Sequence, residues 1–283
     1  MLSLTANPGA RFTARHAGFA RDAAAPVFSP RMSRGPLVAL ALSLAAFLAL
    51  AMGNIATTSP TFDEPFHLAA GYTQLTTRDH RFGPDHPPLL RRLAALPLLG
   101  MDVWPQVRTA EGKRPLEVMQ KAWSTMPFRY NAPYFFDKHF FHPVRDARFG
   151  APTTAALAKS DFLNDAEAMF FRARTMLLFA TGALLAILVF CWSYELWGPW
   201  GGAWSALLFC FDPNFIAHSG LVTTDAGAAM LMFASLYFFW RATRGATRRA
   251  TLANGLAFAL AFAAALLAKY SSLILLPVLL LLA

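Results

Sequence analysis

The run Leu37 to Ala56 contains no charged residue, and this limits what the chain can become more than any other feature. A helix rises 1.5 Å per residue and the hydrocarbon core of a bilayer is about 30 Å thick, so about 20 apolar residues cross it. Inside lipid every backbone polar group must be bonded within the protein, and a helix does this within a single segment. Composition points the same way: of 283 residues, 56% are hydrophobic and 14% charged, against about a quarter charged in an ordinary soluble domain. The expected fold class is an all-α polytopic membrane protein.

Further apolar runs extend this to a bundle. After the first span at 37–56, spans are expected at 175–196, 201–215, 221–240 and 252–268, with a last run at 273–283. Trp197-Gly198-Pro199-Trp200 reads as the turn between two of them. The closing run has no polar flank, so the chain is expected to be the N-terminal part of a longer protein. Residues 1–35, rich in Ala, Arg and Pro, read as a basic, disordered extension, with a second possible start at Met32. Residues 36–283 form the transmembrane region. Its first run exceeds the 7 to 15 residues of a signal h-region, which favours a retained anchor over a cleaved signal.

Short loops rich in arginine stay on the cytoplasmic side. Arg31 and Arg34 therefore put the N-terminus inside, and Arg241, Arg244, Arg248 and Arg249 put the 241–250 loop there too. Alternation then leaves three segments outside: the long loop 57–171, the short loop 212–220, and Lys269 with Tyr270. Residues 101–168, with Trp104, Trp123, Tyr130 and Tyr134, are expected to form a short-helix cap on the long loop or to be partly mobile.

The polar residues nearest the membrane fall on that outer side: Asp63, Glu64, His67, His86, Asp212, His218, Asp225 and Lys269. Such groups are expensive near lipid and are retained for function or for pairing with one another. Asp225 with Lys269 also suits a plain structural ion pair. Thr61-Phe62-Asp63-Glu64 suits a capping box, with Glu64 reaching back to the backbone of Thr61. Adjacent helical residues point about 100° apart, so the two carboxylates should not share a proton. The stretch 85–96 is too short to span; its leucines read as a lipid-facing side, with Arg91 and Arg92 near headgroups and His86 as a cap or a phosphate contact.

Metal and nucleotide chemistry find little support. Glu64 and His67 make one E-x-x-H, whereas a di-iron bundle needs two such motifs and two more carboxylates. No metal ligands are assigned, although a divalent cation, zinc included, stays open as a cofactor. Cys191 and Cys210 both sit in apolar runs and offer no C-x-x-C spacing. Walker A, G-x-G-x-x-G, G-x-S-x-G and H-E-x-x-H motifs are absent from the sequence. The net charge of +9 follows topology, and the aromatics suit lipid and its interface, so nucleic acid is not an expected partner.

Four motifs in order carry a resemblance. They are Phe62-Asp63-Glu64-Pro65-x-His67 with Ala70-Gly71; His86-Pro87-Pro88-Leu89; Pro213 with Ala217-His218-Ser219 and Thr223-Thr224-Asp225-Ala226; and Ala268-Lys269-Tyr270-Ser271. From Leu37 onward the chain resembles the phospholipid carrier-dependent glycosyltransferases, GT-C enzymes akin to the protein O-mannosyltransferases and the aminoarabinose transferase of lipid A. The resemblance implies a GT-C-like helix bundle with a long outer loop after the first span. It also implies a polyprenyl-phosphate sugar donor, hexosyl or pentosyl transfer with inversion, and a lipid, glycan or protein acceptor, among membrane lipids. Asp63 matches the general base. Glu64, His86, His218, Asp225, Lys269 and Tyr270 are the expected substrate-binding residues, with Lys269 or His86 stabilising the leaving phosphate. The implied location is a bacterial inner membrane with the site on the periplasmic face. The competing expectation is a transporter or flippase using Asp225 and Lys269 as an intramembrane relay.

Overall fold

The computed structural model describes residues 33–78, 80, 83, 85–101, 103 and 165–282. Most of 1–35 and of the expected cap at 101–168 lies outside these. The regular elements among the described residues are all helices, with no strand among them. Helix α1 (Arg34–Thr57) is 24 residues long, about 36 Å at 1.5 Å per residue. It buries Ser43, Phe47, Ala51 and Ile55, a stripe at intervals of four that forms one face of a helix. Phe47, Ala51 and Ile55 pack on Leu178, Ala186 and Cys210, while Val38, Leu42 and Leu50 stay exposed for lipid.

Next come α2 (Glu64–Thr77) and the short α3 (Leu89–Ala95), which tightens into a 3-10 turn at Leu96–Gly100. Their backbones touch: a Cβ on Gly71 would lie 2.0 Å from the Arg91 carbonyl oxygen, so only glycine fits. This corrects the expectation of a lipid-facing 85–96. Leu90, Arg91, Ala94 and Ala95 are buried, and Arg91 is 1% exposed. The stretch is wedged into protein because Leu90 fills the notch left by Gly227, where a Cβ would meet it at 2.5 Å.

A helical run of 45 residues, Ala166–Cys210, follows. It comprises α4 (Ala166–Leu177), a wide π turn (Leu178–Ala183) and α5 (Leu184–Cys210). The run is not straight. Gly198 has φ 79° and ψ −174°, a conformation essentially reserved for glycine, and Pro199 cannot continue the preceding ladder. In a straight helix Phe190 and Gly202 would be about 18 Å apart. A Cβ on Gly202 would instead lie 2.9 Å from the Phe190 carbonyl oxygen, so α5 is an antiparallel hairpin turning at Trp197–Trp200.

The second limb ends at Cys210, short of the 215 read from hydropathy, because Asp212 starts a separate helix, α6 (Pro213–His218). Helices α7 (Asp225–Thr243) and α8 (Arg248–Ala268) pair closely, and a 3-10 turn (Tyr270–Ile274) leads into α9 (Leu275–Leu282). Leu252, Leu256 and Leu260 on α8 are each 63% exposed, one unpartnered stripe suited to lipid. Arg34–Thr57, Ala166–Cys210 and Arg248–Ala268 are each long and apolar enough to cross a membrane.

The two ends of the bundle differ. At one, Gly35 approaches Trp200, and Tyr237 donates to Glu195 at 2.6 Å beside Arg241. At the other, Asn54 donates to the Ala217 carbonyl and Lys269 meets Asp225. The second end holds the candidate chemistry.

Candidate active site

Helix α2 begins at a buried carboxylate. Glu64 is 0% exposed, and its Oε2 accepts from the Thr61 amide at 2.7 Å and the Thr61 hydroxyl at 3.1 Å. Glu64 thus reaches back as expected, but the capping box itself is not formed. The N-cap residue is Asp63, not Thr61, and no side chain among the described residues caps the first-turn amides. Pro65 sits in the first turn, where a missing N–H costs nothing. Two longer-range donors complete the set. Arg174 gives Nε to Oε1 at 2.8 Å and Nη2 to Oε2 at 2.6 Å, and the Val222 amide gives to Oε1 at 2.9 Å. Burial alone would raise the carboxyl's pKa, but the donors from Arg174, Val222 and Thr61 hold it below its usual value.

Arg174 spends its remaining donors on the end of α1, at the Thr58 carbonyl (2.8 Å) and the Ser59 carbonyl (3.1 Å). Carbonyls at a helix C-terminus lack intrahelical partners, and a buried guanidinium supplies them. In the sequence Arg174 is a basic residue immediately before the apolar run 175–196. Its position among buried Phe170, Ala173 and Leu177 carries the signal: an arginine on the inward stripe of a span must find a carboxylate.

Asp63 differs from its neighbour in every respect. It is exposed, and no hydrogen bond or ion pair engages its carboxylate among the described residues. One turn along, His67 is 5% exposed and its Nδ1 accepts from Arg91 Nε at 2.8 Å. Because Nδ1 accepts, the ring proton sits on Nε2. Burial first, then the charges of Arg91 and His86, push the His67 pKa down to about 3, so the ring is neutral.

Arg91 also donates to the Gly83 carbonyl at 2.5 Å, lies 3.8 Å from Asp85 and stacks over Phe66. Burial lowers it to about 10, which leaves it charged at neutral pH. His86 packs edge-on to His67 with ring centroids 5.0 Å apart, sits 3.5 Å from Asp85 and is 33% exposed. Burial, followed by Arg91, lowers its pKa.

Asp225 opens α7 and Lys269 follows α8, and the two form an ion pair with exposures of 64% and 31%. The pair lies at helix termini. A transporter relay of the kind weighed from sequence needs it near the midplane. The charge of Asp225 reaches both His67 and His86, that of Lys269 reaches His86, and exposed Tyr270 reaches Arg91. His86 touches the buried Arg91–His67 pair directly, and Leu90 beside Arg91 packs with Ala228 and Ala268, which brings the Asp225–Lys269 end of α7 and α8 to the same side of the bundle. His218 is exposed at the end of α6. Asp212 is a helix cap, accepting from the Asn214 and Phe215 amides.

No group of three or more His, Cys, Asp or Glu able to hold a metal ion exists among the described residues. Glu64 and His67, the E-x-x-H pair, each already face an arginine.

The model of a family described as dolichyl-phosphate-mannose-protein mannosyltransferase matches residues 149–283. That stretch contains Arg174, Asp225 and Lys269 but not Asp63, His86 or Arg91. No curated protein and no solved structure matches the chain. The family match supports a GT-C glycosyltransferase, and with the apolar helices an integral membrane one.

Proposed function

We propose that this chain is a GT-C-type membrane glycosyltransferase that moves a hexose or pentose from polyprenyl phosphate to an acceptor hydroxyl on the outer face of the membrane. The name of the matched family favours mannose as the sugar. The acceptor is a lipid, a glycan or a protein. The observation that supports this reading most is the unequal fate of two adjacent carboxylates. Glu64 is consumed by protein contacts, whereas Asp63 is left exposed one helical turn from a partly dry cationic wall.

The chemistry follows from that contrast. Asp63 sits within about 3 Å of the acceptor hydroxyl in the productive complex and takes its proton. The freed oxygen attacks the anomeric carbon from the face opposite the phosphate. The new glycosidic bond forms as the bond from that carbon to the phosphate oxygen breaks, and configuration inverts. The electron pair leaves with the polyprenyl phosphate. Its growing charge meets Lys269 and a ring N–H of His86, with the Arg91 charge behind them. Asp225 holds Lys269 in place. His218 and Tyr270 are assigned to the rim, toward the sugar or the acceptor.

The test is transfer from radiolabelled polyprenyl-phosphate mannose in membranes carrying the full-length protein. Asp63→Asn at matched expression should lower turnover by about 100- to 10,000-fold, the usual contribution of a general base. Unchanged transfer would remove Asp63 from the mechanism and leave it a surface residue at a helix start.

A further inference from the structure

The Glu64 carboxylate joins three segments that the reaction needs in register. Through the Thr61 amide it fixes the turn that carries Asp63. Through the Val222 amide it fixes the strand of chain that reaches Asp225 three residues later. Through Arg174 it is bolted to the carbonyls that end α1. The carboxylate accepts from the first two regions itself and reaches the third through Arg174. The Glu64 and Arg174 side chains are 0% and 2% exposed, so neither solvent nor a ligand competes for them.

We propose that Arg174, acting through Glu64, is a positioning residue for the transfer reaction: the pair sets the distance between the Asp63 base and the Asp225–Lys269 pair. This rests on the reading of Asp63 given above. Two points of geometry carry it. Arg174 presents Nε and Nη2 to separate oxygens of one carboxylate, a fork that fixes orientation as well as distance. The same carboxylate also accepts backbone amides from residues 61 and 222, so rotating it moves both halves of the site. A lysine at 174 keeps the charge and loses the fork. An aspartate at 64 keeps the charge and shortens the reach by one carbon. Each leaves a folded core with a displaced Asp63.

The effect belongs on turnover, since a misplacement of about 1 Å costs roughly 100-fold in rate. In the full-length protein, purified in lipid nanodiscs and counted as folded molecules by size exclusion, Arg174→Lys and Glu64→Asp should lower kcat with polyprenyl-phosphate mannose by roughly 100-fold. The KM for that donor should stay within about threefold, because Lys269 and its partner Asp225 remain paired with each other and what changes is their distance from Asp63. Turnover per folded molecule equal to wild type in both variants overturns the proposal and leaves the pair a stabilising bridge. A rise in KM with unchanged kcat also overturns it. Asp63→Asn separates the two levels of argument. If it is inactive while Arg174→Lys is fully active, only the positioning role fails. If Asp63→Asn is active, the assignment of the base fails first and takes the positioning role with it.

Discussion

Replacing Arg174 by methionine keeps much of its volume and removes its charge, which isolates the worth of the guanidinium. Glu64 would then keep the Thr61 and Val222 amides and lose both charge-assisted bonds, at 2.6 and 2.8 Å. The Thr58 and Ser59 carbonyls would lose their donors as well. Both side chains are essentially inaccessible, so the surface-pair value of at most about 1 kcal/mol does not apply. Breaking one side of a buried pair costs about 3–5 kcal/mol, since it strands an uncompensated charge.

The assay is reversible unfolding in mixed micelles followed by the fluorescence of the tryptophans. The double variant Glu64→Met/Arg174→Met should lose less than the sum of the two single variants, by more than about 1.5 kcal/mol, because no charge remains to strand. Acid adds a signed check. The folded Glu64 carboxyl lies below its ordinary 4.5, so its stabilisation is complete above that value and is lost as pH falls through the lower, folded one. A loss under about 1 kcal/mol for Arg174→Met, with no coupling in the double variant, would refute the keystone role.

Two further outcomes follow from the same contacts. Folded His67 resists protonation down to about 3 from an ordinary 6.5, so the unfolded chain binds the extra proton between those values. Its contribution makes stability fall by up to about 1.4 kcal/mol per pH unit as pH drops through that window, and leaves it flat above. His67→Gln, whose side-chain carbonyl can still accept from Arg91, should remove that slope, and an unchanged acid-unfolding profile would count against a buried neutral imidazole. Gly198→Ala puts a Cβ on a residue at φ 79° and ψ −174° and should cost about 1–3 kcal/mol in the same unfolding assay; a neutral result would mean that the hairpin turn relaxes to another geometry.

Much of this molecule was legible in the order of its residues. A charge-free run in lipid must be helical, so α1 and α8 could be read from composition alone. Gly198-Pro199 between tryptophans marked the hairpin inside α5, and Thr61 with Glu64 marked the start of α2. The motifs around Asp63, His86, Asp225 and Lys269 carried a resemblance to carrier-dependent glycosyltransferases before any geometry was known. These are local signals: each depends on residues within a turn or a bilayer's thickness of one another.

The division of labour between Asp63 and Glu64 was decided elsewhere. Both are acids in the first turn of one helix, and only a partner 110 residues away, Arg174, makes Glu64 structural and leaves Asp63 free. Arg91 likewise owes its burial to distant residues. Its place on an amphipathic helix suggested headgroups, but Gly71 and Gly227 let that helix sink between α2 and α7, where His67 and the Gly83 carbonyl receive the guanidinium. Periodicity reports which face of a helix is apolar. It does not report whether lipid or protein lies against that face, because both are equally dry. That choice is made by long-range packing, and here the packing decides which charges are buried and which one is left for chemistry.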